Sequence, residues 1–555
     1  MFIKEFIHRH WLLVLFFVVA LFLRTINLSE YPVGFHGDEA SIGYNAFSLL
    51  QTLKDQDGNF LPIAIDQFGD FRPAGYHYLA IPFVAIFGLS EFAVRLPAAL
   101  FASFSVIAIY FLVLELFEKR FTASLAALLL AILPWDINIS RASSEAVIAT
   151  FFVLVGVLFF IKFVKQKKFS AQFLLISTLC FLVSFFFYHA HRFFVPAFFP
   201  LMATVSYFVY KPVRKKKLAI LSVFLILIVS VVLFLSVGRG SGRVANVGLM
   251  SIPGGTSQLK QAMDEEGTLN PLINRSYNNK LFYFGRFFAT FYTQHLSGDF
   301  LFVNNGYPIR YKMLHTGNLY IIMAPFLLLG IAKLLSDGIF SKKYLYLIPV
   351  GWLLIAPIPA GLTWEDLPNV IRSSLLIPAL VMICSFGFVE TLGLVKNRNI
   401  RIGIILICGV ILFHNFLYFH HNYFWRAKIH EPWYRSTAVK ELLFQVSLLS
   451  KGDQKIVMTT EKNNNLLFYL FYNKYDPKKF HALGSPRETD GVKIENITYT
   501  YSPCPIQGSS EEEAIGDKNT IFVDRDDCSL PKNAEVLTTV RMPDGIPAYK
   551  IVKLK

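Results

Sequence analysis

The sequence predicts an α-helical polytopic membrane protein with about eleven transmembrane helices and a small extracytoplasmic α/β domain at its C-terminal end. Three observations carry this prediction. Of the 555 residues, 54% are hydrophobic and only 16% are charged, more apolar surface than a soluble chain of this size could bury. The apolar residues are strung in runs of about 20, each the length of a bilayer crossing. Basic residues cluster in short segments between those runs, and the composition turns polar after about residue 430.

Twelve apolar runs can be read, near 11–27, 74–90, 95–117, 121–138, 144–164, 169–188, 193–210, 217–237, 316–335, 344–361, 371–394 and 401–420. The first, "WLLVLFFVVALFLRTINL", lacks a small-residue cleavage site and is followed by further runs, so it reads as a retained helix rather than a signal peptide. Basic residues at 118–120, 162–168, 211–217, 333–343 and 396–401, and the N-terminal Lys4 and Arg9, belong on the cytoplasmic side. Twelve crossings would split those basic groups between the two faces, so one run must fail to cross. The run 74–90, "AGYHYLAIPFVAIFGLS", is among the shortest and carries Pro82 and His77, which predicts a helix at the outer interface. Residues 28–94 then form one large outer loop. A cell-membrane protein with a cytoplasmic N-terminus and an extracytoplasmic C-terminal part is expected.

A second long outer loop covers 238–315, where "GRGSGR" and "PGG" mark flexible backbone. The expected transmembrane domain is 1–425 and the α/β domain 430–555. In the latter, "KIVMTT", "NTIFVD" and "AYKIVKLK" read as strands, and "STAVKELLFQVSLL" and "NNNLLFYLFY" as helices. Cys180, Cys384 and Cys408 lie in apolar runs and read as small core residues. Cys504 and Cys528 lie in the polar part; outside the cytoplasm they could form a disulfide, and the sequence leaves both states open.

The net charge of +15 lies largely in the clusters between spans, which argues against nucleic-acid binding. The first outer loop holds "YPVGFHGDEASIGY", with adjacent acids Asp38 and Glu39. Ile42, Ala46, Leu49, Leu50 and Leu53 follow at helical spacing, which predicts an amphipathic helix with Asp38 at its N-cap and Glu39 complementing the dipole. The same position also fixes a carboxylate for chemistry, so cap and reaction centre both stand. Arg24, Arg72, Arg95, Arg141, Arg192 and Arg372 fall at outer span ends or in this loop, against the orientation rule. The turns 139–143, 189–192 and 361–372 contain Arg and no Lys. A planar guanidinium suits phosphate or carboxylate, so acids and arginines together describe a site for an anionic ligand. Further acids on this face are Asp66, Asp70, Asp136, Glu145, Asp299, Glu365 and Asp366. His189 and His191 do not share a helical face and make a poor zinc site. A divalent ion between Asp38 and Glu39 stays open, though the ligand set is incomplete. No Gly-rich phosphate loop, GxSxG elbow or CxxC pair is present.

The segments "LRTINLSEYPVGFHGDEASIGYNAFSLL", "FGDFRPAGYHYL", "GLSEFAVRLPAALF", "LPWDINISRASSEA", "YHAHRFFVP", "HLSGDFLFVNNGYPIRY" and "IPAGLTWEDLPNVIRSSLLIPAL" occur in this order over residues 10–425. In them the chain resembles the GT-C superfamily of membrane glycosyltransferases that use a polyprenyl-phosphate-linked sugar. It is most similar there to protein O-mannosyltransferases and the bacterial transferase that adds aminoarabinose to lipid A. The resemblance implies an inverting transfer of a sugar to an acceptor hydroxyl on a protein, lipid or glycan, with Asp38 as general base and Glu39 and Glu145 beside it. Arg95, Arg192, Arg372, Arg141 and His189 are the residues expected to bind the donor phosphate, and Arg72, Tyr76 and Asp299 those expected to line the cavity. The family's juxtamembrane helix usually begins with a basic residue and two prolines; here it reads Arg72-Pro73-Ala74. The acid expected after "SR" is offset and is Glu145. The alternatives are an oligosaccharide transferase and a lipid-linked sugar flippase. A flippase would place its charges near the middle of spans rather than at one face.

Overall fold

The computed structural model describes residues 10–67, 70–168, 170–236, 246–267, 270–450, 454–461, 464–486, 489–508 and 519–555. Helices dominate up to residue 450. Glu91–Phe117, Glu145–Lys165, His189–Tyr210, Arg214–Phe234, Tyr344–Gly361, Leu376–Leu394 and Arg398–Arg426 are long and apolar enough to cross a bilayer. The pair Arg120–Ile132 and Pro134–Ser140, bent by 51°, makes an eighth if it is one span. Trp11–Thr25, Ala171–Phe187 and Met323–Ile339 are shorter apolar helices. These seven or eight compare with about eleven crossings read from apolar runs. The difference arises because helices stop inside the runs: Tyr188, for example, turns extended and ends the helix that fills 169–188. Gly75–Phe87, the run expected not to cross, is a helix of 13 residues, about 20 Å long against a hydrocarbon layer of about 30 Å.

The chain divides into two compact units: Met1–Ile26, Asp70–Gly75 and Ala98–His420 form one, and Asn27–Gly69, Tyr76–Pro97 and His421–Lys555 the other. In the first unit, Glu145–Lys165 packs along Ala171–Phe187, and Met323–Ile339 along Leu376–Leu394. The bend before Pro134 frees carbonyls at the end of Arg120–Ile132, because proline supplies no N–H to continue the ladder. Arg24 takes them up. Its guanidinium donates to the carbonyls of Leu130 (2.9 Å) and Ala131 (2.8 Å) and pairs with Asp136 at 2.6 Å.

In the stretch expected to be loose, "GRGSGR" lies outside the described residues. The part beyond it folds as helices Gly255–Glu265, Pro271–Tyr277 and Lys280–Gln294. Asn270 and Asn279 cap the last two by accepting from the N–H groups of Leu272 and Phe282.

In the second unit the helix Gly37–Thr52 accompanies a six-stranded sheet: β1 Ile456–Thr459, β2 Lys493–Ile494, β3 Ile497–Thr500, β4 Ile521–Arg525, β5 Ala534–Arg541 and β6 Pro547–Leu554. Their order is β2-β3-β1-β4-β6-β5. β1 is parallel to both neighbours and the remaining pairs are antiparallel. Helices Val439–Leu449 and Asn465–Tyr472 lie where the sequence placed them. Ile456, Met458, Val523 and Ile551 are buried on the central strands. Cys504 and Cys528 form a disulfide, and Cys180, Cys384 and Cys408 are free.

Asp524, on β4, is buried, and its carboxylate accepts from the N–H of Ile506 at 3.2 Å. Its second oxygen has no partner among the described residues. Burial pushes its pKa up from 3.8 to about 7. Its protonated form is the one the fold favours, so this contribution to stability is complete below 3.8 and is lost as pH rises through about 7. Asp524→Asn is therefore expected to raise the melting temperature by several degrees at pH 8 and to change it little at pH 4. Equal shifts at the two pH values, in thermal unfolding of the purified protein, would contradict this assignment.

Candidate active site

The helix Gly37–Thr52 begins with a reciprocal cap. The His36 ring accepts from the N–H of Asp38 at 3.1 Å, and Glu39 accepts from the N–H of His36 at 3.1 Å. The expectation that Asp38 is the N-cap is thus corrected: the chain becomes helical at Gly37, so Asp38 already lies inside the first turn. Its carboxylate is partly exposed and lies 3.7 Å from the His36 ring.

Glu39 is buried and faces Arg95, near the start of the helix Glu91–Phe117. Arg95 Nε donates to one Glu39 oxygen at 2.9 Å and Nη2 to the other at 3.1 Å, a two-pronged pairing out of water. Nη1 donates to the carbonyl of Leu28 (3.1 Å) and Nη2 also to that of Gly34 (2.6 Å). Phe35 lies under the guanidinium, its ring centre 5.3 Å away. Burial pushes the Glu39 pKa up, but the Arg95 charge and hydrogen bonds outweigh it and hold the carboxyl below its usual range. Arg95 therefore ties the loop 28–36 and the helix that follows to the start of a span. Tyr76 is buried and donates its hydroxyl to the carbonyl of Val94 at 2.8 Å, bracing the same turn.

Both Glu39 oxygens are engaged by Arg95, so the two acids do not converge on a point between them. The residues do not fit a divalent ion held by Asp38 and Glu39 together. Among the described residues no three His, Cys, Asp or Glu side chains group as metal ligands.

In the first unit a second polar group forms around Tyr188, the half-buried residue between Ala171–Phe187 and His189–Tyr210. Arg72, Glu145, Arg372 and Tyr311 all act on it electrostatically. Arg72 approaches Glu145 at 3.9 Å, and its side chain is 21% exposed, the most accessible of the expected arginines with a described ion pair. Arg372 donates to Thr363 Oγ1 at 3.0 Å and to the Glu365 carbonyl at 2.5 Å, and pairs with the Glu365 carboxylate at 3.2 Å. Asn369 sets the turn beneath it by accepting from the N–H groups of Ile371 and Arg372. His295 in turn accepts from the N–H of Asn369 at 2.9 Å, and burial lowers its pKa to about 4, which keeps the ring neutral.

Arg192 lies buried over the Phe234 ring, donating to the Phe185 carbonyl at 3.0 Å and contacting His189 Nδ1 at 3.0 Å. His189 Nε2 reaches the Phe71 carbonyl at 3.2 Å, next to Arg72. Arg141 is fully buried and donates to the carbonyls of Leu23 and Ile26, both at 2.7 Å. Asp299 is exposed and accepts from Asn304 at 2.8 Å. Tyr188, Tyr311, Asn369 and His295 escaped the sequence reading, because a tyrosine or a neutral histidine among apolar residues carries no local sign of the charges near it.

Residues 72–237 match the family described as dolichyl-phosphate-mannose-protein mannosyltransferase. The chain resembles the protein mannosyltransferase family of membrane glycosyltransferases. Glycosyltransferase is the enzyme class this match indicates. The fold is that of ArnT from Cupriavidus metallidurans, solved in the apo state and bound to undecaprenyl phosphate. Identity is 11% and 12% respectively, with 97% of each chain covered and a TM-score of 0.50 in both cases. The oligosaccharyltransferase AglB from Archaeoglobus fulgidus, in complex with an inhibitory peptide and a dolichol-phosphate, aligns at 14% identity over 94% of this chain and 70% of its own, with a TM-score of 0.47. No curated protein matches the chain in sequence.

The adjacent acids are expected to separate on mutation. Glu39→Ala leaves a buried guanidinium unpaired and should cost about 3–5 kcal/mol. Asp38→Asn should leave the melting temperature within a degree or two of wild type. Thermal unfolding of both variants checks this, and a Glu39→Ala protein as stable as wild type would contradict the role given to the pair.

Proposed function

We propose that this chain is an inverting glycosyltransferase that moves a sugar from a polyprenyl-phosphate donor to an acceptor hydroxyl on the extracytoplasmic face. The observation that carries the reading is Asp38. Its carboxylate is partly exposed, its helix is capped by other groups, and its neighbour is locked to Arg95. A carboxylate in the first turn of a capped helix and partly exposed is within reach of an acceptor hydroxyl. Asp38 takes the proton from the acceptor hydroxyl as that oxygen attacks the anomeric carbon. The bond from that carbon to the phosphate oxygen breaks, and the electron pair leaves with the polyprenyl phosphate. A single displacement of this kind inverts the carbon.

The departing phosphate needs no strong general acid, but its charge needs fixed donors. Within the first unit we assign anion binding to Arg72 and Arg372, which both act on Tyr188. Arg192 and His189 support the backbone beside Arg72. The carbonyl and carboxylate partners of Arg95 and Arg141 make them positioning residues. About eleven crossings and an extracytoplasmic α/β domain over 430–555 belong to the same reading. The Cys504–Cys528 disulfide supports that orientation, since such bonds persist outside the cytoplasm.

Purified protein given radiolabelled polyprenyl-phosphate sugars and a membrane extract as acceptor tests the reading. Asp38→Asn is expected to lower transfer by about 100-fold or more while the protein stays folded. Arg72→Ala should chiefly raise the donor KM. Undiminished transfer by a folded Asp38→Asn protein would move the base elsewhere. In intact cells, a membrane-impermeant maleimide should label Cys504 and Cys528 after mild reduction; labelling in inverted vesicles alone would reverse the orientation.

A further inference from the structure

The second unit joins two parts of the sequence more than 300 residues apart: the first outer loop, with its paired acids, and the polar C-terminal part. The contact is specific. Helix Asn465–Tyr472 lies against Gly37–Thr52 at Gly43, where an added Cβ would sit 2.4 Å from the Phe471 ring and 2.7 Å from Val94. The side chains of Phe471 and Val94 can come this close to the backbone of Gly43 because it has no side chain of its own. Gly43 is one helical turn beyond Glu39, on the same face, and Val94 adjoins Arg95.

Phe471 also packs on Phe35, the ring beneath the Arg95 guanidinium, with ring centres 4.8 Å apart. Tyr472 donates its hydroxyl to Glu91 at 2.8 Å, and Lys440 reaches both Glu91 oxygens at 3.0 and 3.1 Å. Glu91 precedes Arg95 by one turn of the same helix. At the other end of the loop Gly34, whose carbonyl accepts from Arg95, lies so close to the Arg435 carbonyl that a Cβ there would approach it to 2.4 Å. Tyr44 donates to the Tyr475 carbonyl at 3.1 Å.

We infer that the C-terminal part is a positioning element for the reaction: Phe471 and Tyr472 hold the Glu39–Arg95 pair in place and thereby set the direction of the Asp38 carboxylate. This rests on Asp38 acting as the base. The argument is mechanical. Glu39 and Asp38 share one turn of helix, so a rotation of that turn large enough to release Arg95 also swings Asp38 away from its line of approach. Phe471 blocks that rotation on one side, and Tyr472 with Lys440 fixes the helix that carries Arg95 on the other. A misplacement of about 1 Å is enough to cost a reaction about 100-fold.

The test uses the full-length protein and three variants. Gly43→Ala should push the Phe471 ring aside and lower kcat by about tenfold or more, with the donor KM unchanged. Phe471→Leu added to Gly43→Ala relieves the closer of the two contacts, the other being with Val94, and should restore part of the lost kcat. Tyr472→Phe should lower kcat and shift the acid limb of the pH–rate profile, which reports the base. Hydrogen exchange of the amides of residues 37–45 should quicken in Gly43→Ala and slow again in the double variant. Folded variants with wild-type kcat and an unshifted acid limb would overturn the inference, as would a Gly43→Ala loss that Phe471→Leu does not relieve. Asp38→Asn run in parallel separates the two claims. If that variant transfers sugar normally, the functional reading fails, whereas unchanged kcat in Gly43→Ala beside a dead Asp38→Asn sinks the positioning role alone.

Discussion

Glu39 and Arg95 are 56 residues apart in the chain, and both are taken out of water. Neither charge is tolerable there without the other, so their meeting fixes the path of everything between them. Arg95 uses its remaining donors on the carbonyls of Leu28 and Gly34, which draws the incoming loop onto the same point. Glu39 completes the cap that starts the acid-bearing helix. One ion pair thus orders a loop, a helix start and a span start together, and it leaves the adjacent Asp38 neither capping nor buried.

The arginines of the outer-face reading share a residue type and divide in use. Arg24, Arg95 and Arg141 are fully buried and donate to backbone carbonyls, at a bent span, a loop and a helix end. Guanidinium suits that work because its planar fork can satisfy several orphaned carbonyls at once. Arg72 and Arg372 differ. Each meets a carboxylate, at 3.9 Å and 3.2 Å, and each acts on the Tyr188 ring.

The sequence by itself determined the membrane class, the start of an amphipathic helix near Asp38, a short apolar helix within 74–90, and the alternation of helix and strand after residue 430. These follow from local periodicity and composition, which a linear reading can count. Tertiary structure alone decided that His36 rather than Asp38 caps the helix, and which arginines close on carbonyls. It also decided that Tyr188 stands among Arg72, Glu145 and Arg372, and that Phe471 rests in the gap at Gly43. Each of these depends on two or more segments distant in sequence arriving at one point. Burial then selects which partners satisfy each charge, and no local pattern records that choice.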